Sequence, residues 1–451
     1  MRIPVLLVAP ATSHLRSSAT EAITNMSAGI DIEAAPFYPG VELDASFAPV
    51  ALGAAIPGGV SMEMATPQKS EAFLLRGFAV VEAGKKPPET AGDAKVYSDP
   101  HIAALAGPTC GGTPPVGNAA KVAQLLRVAS LRQKNLTGAD VAVAIVDTGI
   151  NIQHLTAKLG HAPRFDAASS WQPPGTPPPP PGVWPVDHGS MCAFDALIAA
   201  PAATLVDFPV LKANFPGGGS VMSGTLSAAI AAYGFMLNSW TSGKLKNYKA
   251  LVASNSWGIF HPSWDFPAHH PGRYCDNPNH PFNIQMGTVT RAGIDVIFAA
   301  GNCGSPCADS RCQGRTQGAI MGASAMPEVL TIAGCDTNNQ RVGYSSQGPS
   351  IIGMHQEKPD ITSYTHFLGS EAFGAGSPDS GTSAACPVAA GCVAALRTSS
   401  KIPPRTTCPP ATLFAELRKS AISTPGPNHA WNGDYGFGIV DPIAAANALG
   451  L

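Results

Sequence analysis

Four polar positions stand where a parallel sheet would present them along one edge. Asp147 ends the apolar run Val141–Val146 and is followed by Thr148 and Gly149. His188 opens a helical stretch in the string Asp187-His188-Gly189-Ser190. Asn302 follows the run Val296–Phe298 in Ala299-Ala300-Gly301-Asn302, and Ser383 lies in Gly381-Thr382-Ser383-Ala384-Ala385-Cys386-Pro387, ahead of a run of small residues. An acid, an imidazole, a side-chain amide and a hydroxyl are the parts that acyl transfer requires. A serine hydroxyl is a weak nucleophile at neutral pH, so His188 would take its proton as Oγ attacks a carbonyl. Asp147 would fix the imidazole tautomer and stabilise the imidazolium. The Asn302 amide and the Ser383 backbone N–H would hold the oxyanion, assisted by the positive end of a helix over Ala384–Leu396. Pro387 is expected in the first turn of that helix, where its missing N–H costs nothing.

These residues need a scaffold of a particular kind. In an open parallel sheet, the loops after the strands' C-terminal ends form the site. Continuous apolar runs at Val141–Val146, Thr204–Leu211, Ala250–Ser254, Val296–Phe298 and Val329–Ile332 read as strands covered on both faces. Helical stretches are expected at Ala119–Gln133, His188–Ala200, Gly224–Trp240 and Asn283–Ala292, and their alternation with the strands predicts an α/β fold with a parallel sheet. Residues 1–103 carry strand-like runs (Phe73–Val81 among them) and a helix near Ser17–Met26, which reads as a smaller α+β segment. A glycine–proline linker over 104–118 separates it from the main domain, 119–451. Two insertions interrupt the main domain: a proline-dense stretch over Pro173–Pro185, and Phe260–Asn283, rich in His, Pro and aromatics.

Composition narrows the function. With 28 Lys+Arg against 30 Asp+Glu, the net charge of -2 gives no electrostatic reason for a nucleic-acid or membrane-surface partner. No apolar run reaches the roughly 18 residues that a membrane span needs. Charged residues make up only 13%, about half the usual share, which suits a large buried core. The start, Met1-Arg-Ile-Pro-Val-Leu-Leu-Val-Ala-Pro-Ala, is short for a signal peptide and is interrupted by Pro4 and Pro10, so it reads as a strand. Cytoplasmic residence and export by another route are both consistent with it.

The strings Val146-Asp-Thr-Gly149, His188-Gly-Ser190, Ala300-Gly-Asn302 and Gly381-Thr-Ser-Ala-Ala-Cys-Pro387, in this order, resemble those of the subtilisin-like serine proteases, or subtilases. Weaker similarities are Ser254-Asn-Ser-Trp-Gly258, Tyr344–Pro349, Lys358–Ile361 and Gly436–Asp441. The resemblance covers roughly residues 119–449. It implies a subtilisin-like parallel sheet flanked by helices, and a serine endopeptidase with catalytic Asp147, His188 and Ser383 and oxyanion residue Asn302. It also implies that Ser256, Trp257 and Gly258, with Gly301, bind an extended polypeptide by strand addition, Trp257 forming an apolar subsite wall. Residues 1–103 would be a prodomain that occupies the cleft with its C-terminal tail, and the protein is expected to be a zymogen and a monomer. No cofactor is required by this chemistry. Structural calcium occurs in the family, but no carboxylate-rich loop here supplies a ligand set. Two departures are Ser190, where the family usually has Thr, and Phe194, where a small residue is usual. Non-catalytic peptide binding by the same cleft is the alternative, as is an esterase or acyl transferase using the same triad; the intact set of four groups speaks against a mere binder.

Cysteine and histidine clusters give further expectations. Cys192, one turn after His188, resembles the free thiol of thiol-sensitive subtilases and also suits a small core residue. Cys303, Cys307 and Cys312 offer no fourth ligand at zinc spacing; disulfides, with Cys275 or Cys335 as candidate partners, or reduced thiols are expected instead. The histidines of the Phe260–Asn283 insertion have no recognised metal-ligand spacing, and the insertion reads as a polar, partly aromatic loop at the cleft rim.

Overall fold

A computed structural model of the chain describes all residues except 25–28, 53–54, 57–58, 61–67, 69, 106–112, 174–178, 212–221 and 424–429. Among the described residues, seven parallel strands form the central sheet. Their spatial order is Arg164–Phe165, Thr204–Pro209, Val141–Asp147, Ala250–Asn255, Ile294–Ala299, Leu330–Cys335 and Ile361–Tyr364. The order reverses at Val141–Asp147, whose next two strands lie on one side and the four later ones on the other, so Asp147 ends at a topological switch point.

Every residue of Val141–Asp147 is buried, for the reason its continuous apolar run implies. Val141, Val143 and Ile145 face the layer that contains helices His188–Ala199 and Thr382–Arg397. Ala142, Ala144 and Val146 face the opposite layer, with helices Leu226–Thr241 and Pro281–Arg291. The period-2 alternation of a strand thus divides one apolar run between two cores.

Several boundaries differ from the sequence expectation. The helix expected over Ala119–Gln133 is two helices, Ala119–Leu125 and Val128–Gln133, because Arg127 between them takes a left-handed conformation (φ 54°). The helix expected from Gly224 starts at Leu226, since Ser223–Thr225 is a strand that pairs antiparallel with His101–Ala103. The strand Ile361–Tyr364, too short to stand out as an apolar run, completes the sheet. Much of the linker expected over 104–118 lies outside the described residues, as does the first part of the proline-dense insertion, 174–178.

The N-terminal residues form an antiparallel sheet in which Arg2–Pro10 lies between Ala72–Val80 and Ala94–Ser98, with helix Ser13–Thr24 on one face. Leu6, Val8 and Leu74 on the other face enter the core shared with Leu226–Thr241 and Pro281–Arg291. The His-rich insertion packs here rather than serving only as a cleft rim. Phe266 joins the N-terminal core, Ser98 N–H donates to Gly272 O at 2.8 Å, and His270 Nε2 and His280 Nε2 bond Pro87 O and Ser98 O at 3.1 and 3.0 Å. In both rings Nδ1 accepts a backbone N–H, from Gly272 and Phe282, so each is held as the neutral Nε2–H tautomer. Burial lowers the His280 pKa to about 4.

At the far end of the central helix, Arg397 forms a two-point ion pair with Asp295 (2.7 and 2.6 Å), both fully buried, and donates to Ile402 O and Cys408 O. Removing one partner would strand a charge in the core. Asp295→Ala is expected to cost about 3–5 kcal/mol in urea unfolding, while Asp295→Leu with Arg397→Met should recover most of it.

Candidate active site

Asp147 and His188 meet because a strand end and a helix start converge at the switch point. Asp187 caps the helix by accepting the His188 N–H at 2.8 Å, and Thr148 Oγ1 accepts the Gly189 N–H at 2.8 Å. This tie brings the helix against the loop after Asp147, so close that a Cβ on Gly189 would collide with the Gly149 backbone. Ser190 uses its hydroxyl to accept the Asn151 N–H at 3.0 Å, so the departure from Thr keeps a working bond. The His188 Nδ1 lies 2.7 Å from Asp147 Oδ1, and both side chains are buried. His188 Nε2 is buried and has no hydrogen-bond partner among the described residues.

Ser383 is the second residue of helix Thr382–Arg397, whose N-cap is Gly381. Gly381 has φ 78°, and a Cβ there would strike the Leu105 carbonyl and the Asn302 amide, so the position demands glycine. Pro387 is therefore in the helix interior and not in the first turn as expected. Its missing N–H releases the Ser383 carbonyl from the helix ladder. That carbonyl is taken by Ser256 Oγ at 3.0 Å, with the Cys192 thiol 3.6 Å away. Ser383 Oγ in turn donates to Ser256 O at 3.3 Å. A proline that looks tolerated in the sequence thus helps to bind the Ser383 turn to the neighbouring strand.

Asn302 is oriented from the same helix. Its Oδ1 accepts the Thr382 N–H at 2.9 Å and the Thr382 hydroxyl at 3.0 Å, leaving Nδ2 to point into the cleft. Nδ2 donates to the carbonyl of Leu105. The chain leading to Leu105 lies in the cleft as an extended strand. His101–Ala104 pairs antiparallel with Ser223–Thr225 on one side and with Trp257–Gly258 on the other. Ala104 N–H donates to Met222 O at 3.0 Å and Leu105 N–H to Ser256 O at 2.9 Å. Leu105 closes a pocket walled by Gly258, Ile259, Phe260, Gly301, Cys303 and Met321. Trp257 is not among the walls: its indole is fully buried between Phe282 and Phe298, so its backbone faces the strand while its ring belongs to the core.

The subtilase family's sequence profile matches residues 138–438. The chain belongs to the subtilase family. Among curated proteins, the membrane-bound transcription factor site-1 proteases of Homo sapiens and Mus musculus are each 26% identical to it over 342 residues, 73% of this chain. The chain spans 27% of the length of those relatives. As a subtilase it is a member of a family of serine peptidases that act on polypeptides.

The cysteines of this subtilase fall into two classes. Cys303 and Cys312 form a disulfide directly after Asn302, and Cys307 is disulfide-bonded as well. Cys275 and Cys335, considered as partners from sequence, are buried free thiols. Cys192 Sγ lies 3.7 Å from Asp147 Oδ2 and 3.8 Å from His188 Nδ1, and burial holds its pKa well above the usual thiol value. The Asp147, His188 and Cys192 ligand atoms lie within 4.8 Å of one another, but the Asp147–His188 hydrogen bond already occupies the space between two of them.

One pair went unread in the sequence. Asp195, two turns after His188, and Asp379, four residues before Ser383, face each other while buried. Asp379 accepts from the Ser370 N–H and hydroxyl at 2.6 Å each, and neither oxygen of Asp195 has a hydrogen-bond donor among the described residues. Two facing carboxyls in a dry site must share a proton. Burial first, then the Asp379 charge, pushes Asp195 well above the usual carboxyl range, and burial raises Asp379 to about 6. Only spacing across the fold could have revealed them, since neither belongs to a motif. A carboxyl with a raised folded pKa binds more protons folded than unfolded, so its contribution is full below pH ~4 and is lost as pH rises through the folded pKa. Asp195→Asn, which keeps a donor without needing the proton, should match or exceed native stability, with a margin that widens from pH 5 to pH 8. Thermal melts at the two pH values measure it.

Proposed function

We propose that this subtilase is a serine endopeptidase that cleaves extended polypeptide through an acyl-enzyme on Ser383. We further propose that residues 1–105 are an inhibitory segment removed by cleavage after Leu105. The observation that carries both is the Leu105 carbonyl received by Asn302 Nδ2 at the end of a strand held by both walls of the cleft. A carbonyl so held is polarised toward attack, and the same amide would bind the oxyanion more strongly as charge develops.

The remaining groups supply the proton transfers. With Nδ1–H donated to Asp147, His188 Nε2 is an unoccupied acceptor. As Ser383 Oγ leaves Ser256 O and bonds to the carbonyl carbon, its proton passes to Nε2, and Asp147 stabilises the imidazolium. Collapse of the intermediate breaks the C–N bond, and Nε2 returns the proton to the leaving amine. Water then enters by the reverse exchange, releasing the carboxylate and Ser383. Strand pairing at His101–Ala104 reads only main-chain groups, so sequence preference would come chiefly from the Leu105 pocket, whose walls suit an aliphatic side chain. The name of the site-1 proteases accords with a proteolytic role.

Intact mass followed against time tests this reading. Native protein should give a fragment of residues 1–105 while Ser383→Ala stays whole, and activity should rise as the fragment is lost. A fluorophosphonate should label native protein and not Ser383→Ala; equal labelling would reject the nucleophile, and full activity in an uncut chain would reject inhibition by the segment. Asn302→Ala should lower kcat by about 10²–10³-fold with little change in KM.

A further inference from the structure

The loop after Asn302 carries an arginine that no motif assigns. Arg311 Nη1 donates to Ala104 O at 3.1 Å, the carbonyl one residue before Leu105. Its guanidinium lies over the Phe260 ring, 3.8 Å from the centroid, and Phe260 is itself a wall of the Leu105 pocket. Nε and Nη2 bond the two oxygens of Asp309 at 3.0 and 2.7 Å, and the Asp309 side chain is buried. Asp309 N–H donates to Asn302 O at 2.9 Å, and the Cys303–Cys312 disulfide closes the loop across the same span. The guanidinium is thus fixed on one edge by a carboxylate and on one face by an aromatic ring, leaving Nη1 aimed at the strand in the cleft.

We propose that Arg311 is a substrate-binding residue of this subtilase, donating to the main-chain carbonyl of the residue that precedes the one in the pocket. The proposal rests on reading the 101–105 strand as a substrate mimic. The two cleft walls bond Ala104 N–H and Leu105 N–H, and the Ala104 carbonyl turns away from both toward Arg311. A main-chain acceptor is present in any peptide, so the contact recognises polypeptide as a class and not a particular side chain. It also marks the register: a substrate whose carbonyl reaches Nη1 has its next carbonyl at Asn302. An acyl compound with no preceding amide cannot make the contact, which gives a peptide substrate an advantage over a simple ester.

The test compares two substrates on the processed enzyme obtained from the full chain. One is acetyl-His-Ile-Ala-Ala-Leu-p-nitroanilide, which repeats residues 101–105; the other is p-nitrophenyl butyrate, which lacks the preceding carbonyl. Arg311→Met keeps the aliphatic stem over Phe260 and removes the donor. It should raise KM for the peptide about tenfold, leave kcat within about twofold, and leave ester hydrolysis unchanged. Arg311→Lys, a second variant that keeps the charge beside Asp309, should give a smaller loss confined to the peptide. Equal loss on both substrates would show that Arg311 only supports the Asn302 loop and would overturn the proposal. Native-like peptide kinetics in either variant would overturn it as well, with the peptidase reading intact. Failure of native protein to hydrolyse the peptide would overturn the peptidase reading and the arginine contact together.

Discussion

The side-chain amide of Asn302 is the point on which the geometry of the cleft turns. Its oxygen is held twice by Thr382, at the first turn of the central helix, so its nitrogen has one direction left in which to donate. That couples the loop after strand Ile294–Ala299 to the helix that carries Ser383. Gly301 (φ 105°) and Gly381 (φ 78°) let the two backbones approach, since a Cβ at Gly381 would collide with the Asn302 amide and one at Gly301 with the Ser346 hydroxyl. The position offered to a carbonyl oxygen is therefore set before any chain arrives. Such preorganisation is what makes a hydrogen bond effective in stabilising developing charge, because no reorientation is needed at the moment of reaction.

Around that point, polar groups are placed in pairs that satisfy one another. Ser256 and Ser383 each donate a hydroxyl to the other's carbonyl, and Pro387 frees the Ser383 carbonyl for the exchange. Asp147 and His188 satisfy each other on the side away from the cleft, which leaves Nε2 buried with no hydrogen-bond partner among the described residues. An unsatisfied buried nitrogen costs stability. The cost falls at the one atom that the proposed mechanism requires to accept a proton, in keeping with strain and incomplete satisfaction collecting at working sites.

The N-terminal sheet is joined to the peptidase layers by more than the cleft strand. Asp99 accepts from the Ser227 N–H and hydroxyl at 2.8 Å each, capping the first turn of Leu226–Thr241, and pairs with Arg76 from its own sheet. An acidic group at a helix N-terminus is favoured by the helix dipole and by the unpaired N–H groups there. With the His-rich insertion gripping Ser98 and Pro87 from the other side, the segment 96–105 is fixed along its length before it reaches Asn302. In the proposed zymogen this extended attachment would retain the segment after its last bond is cut.

The sequence by itself determined the parts that follow from short-range physics. Apolar runs gave the parallel strands because a doubly covered strand has no polar face. The residues at their ends were legible as chemistry because a site in such a sheet can form only there. The order of motifs, from Asp147 to the Ser383 string, carried the family. Long-range geometry was decided by the tertiary structure. Trp257 looked like a cleft wall, but in a strand whose main chain bonds the cleft, the side chain can point into the core, and this one does. Pro387 was legible as a helix-start proline only until Gly381 fixed where the helix begins. Asp195 and Asp379, separated by most of the domain, and Arg311 with Ala104, separated by 207 residues, carry no local pattern. Their roles depend on which surfaces meet, and a linear chain records that only through the fold.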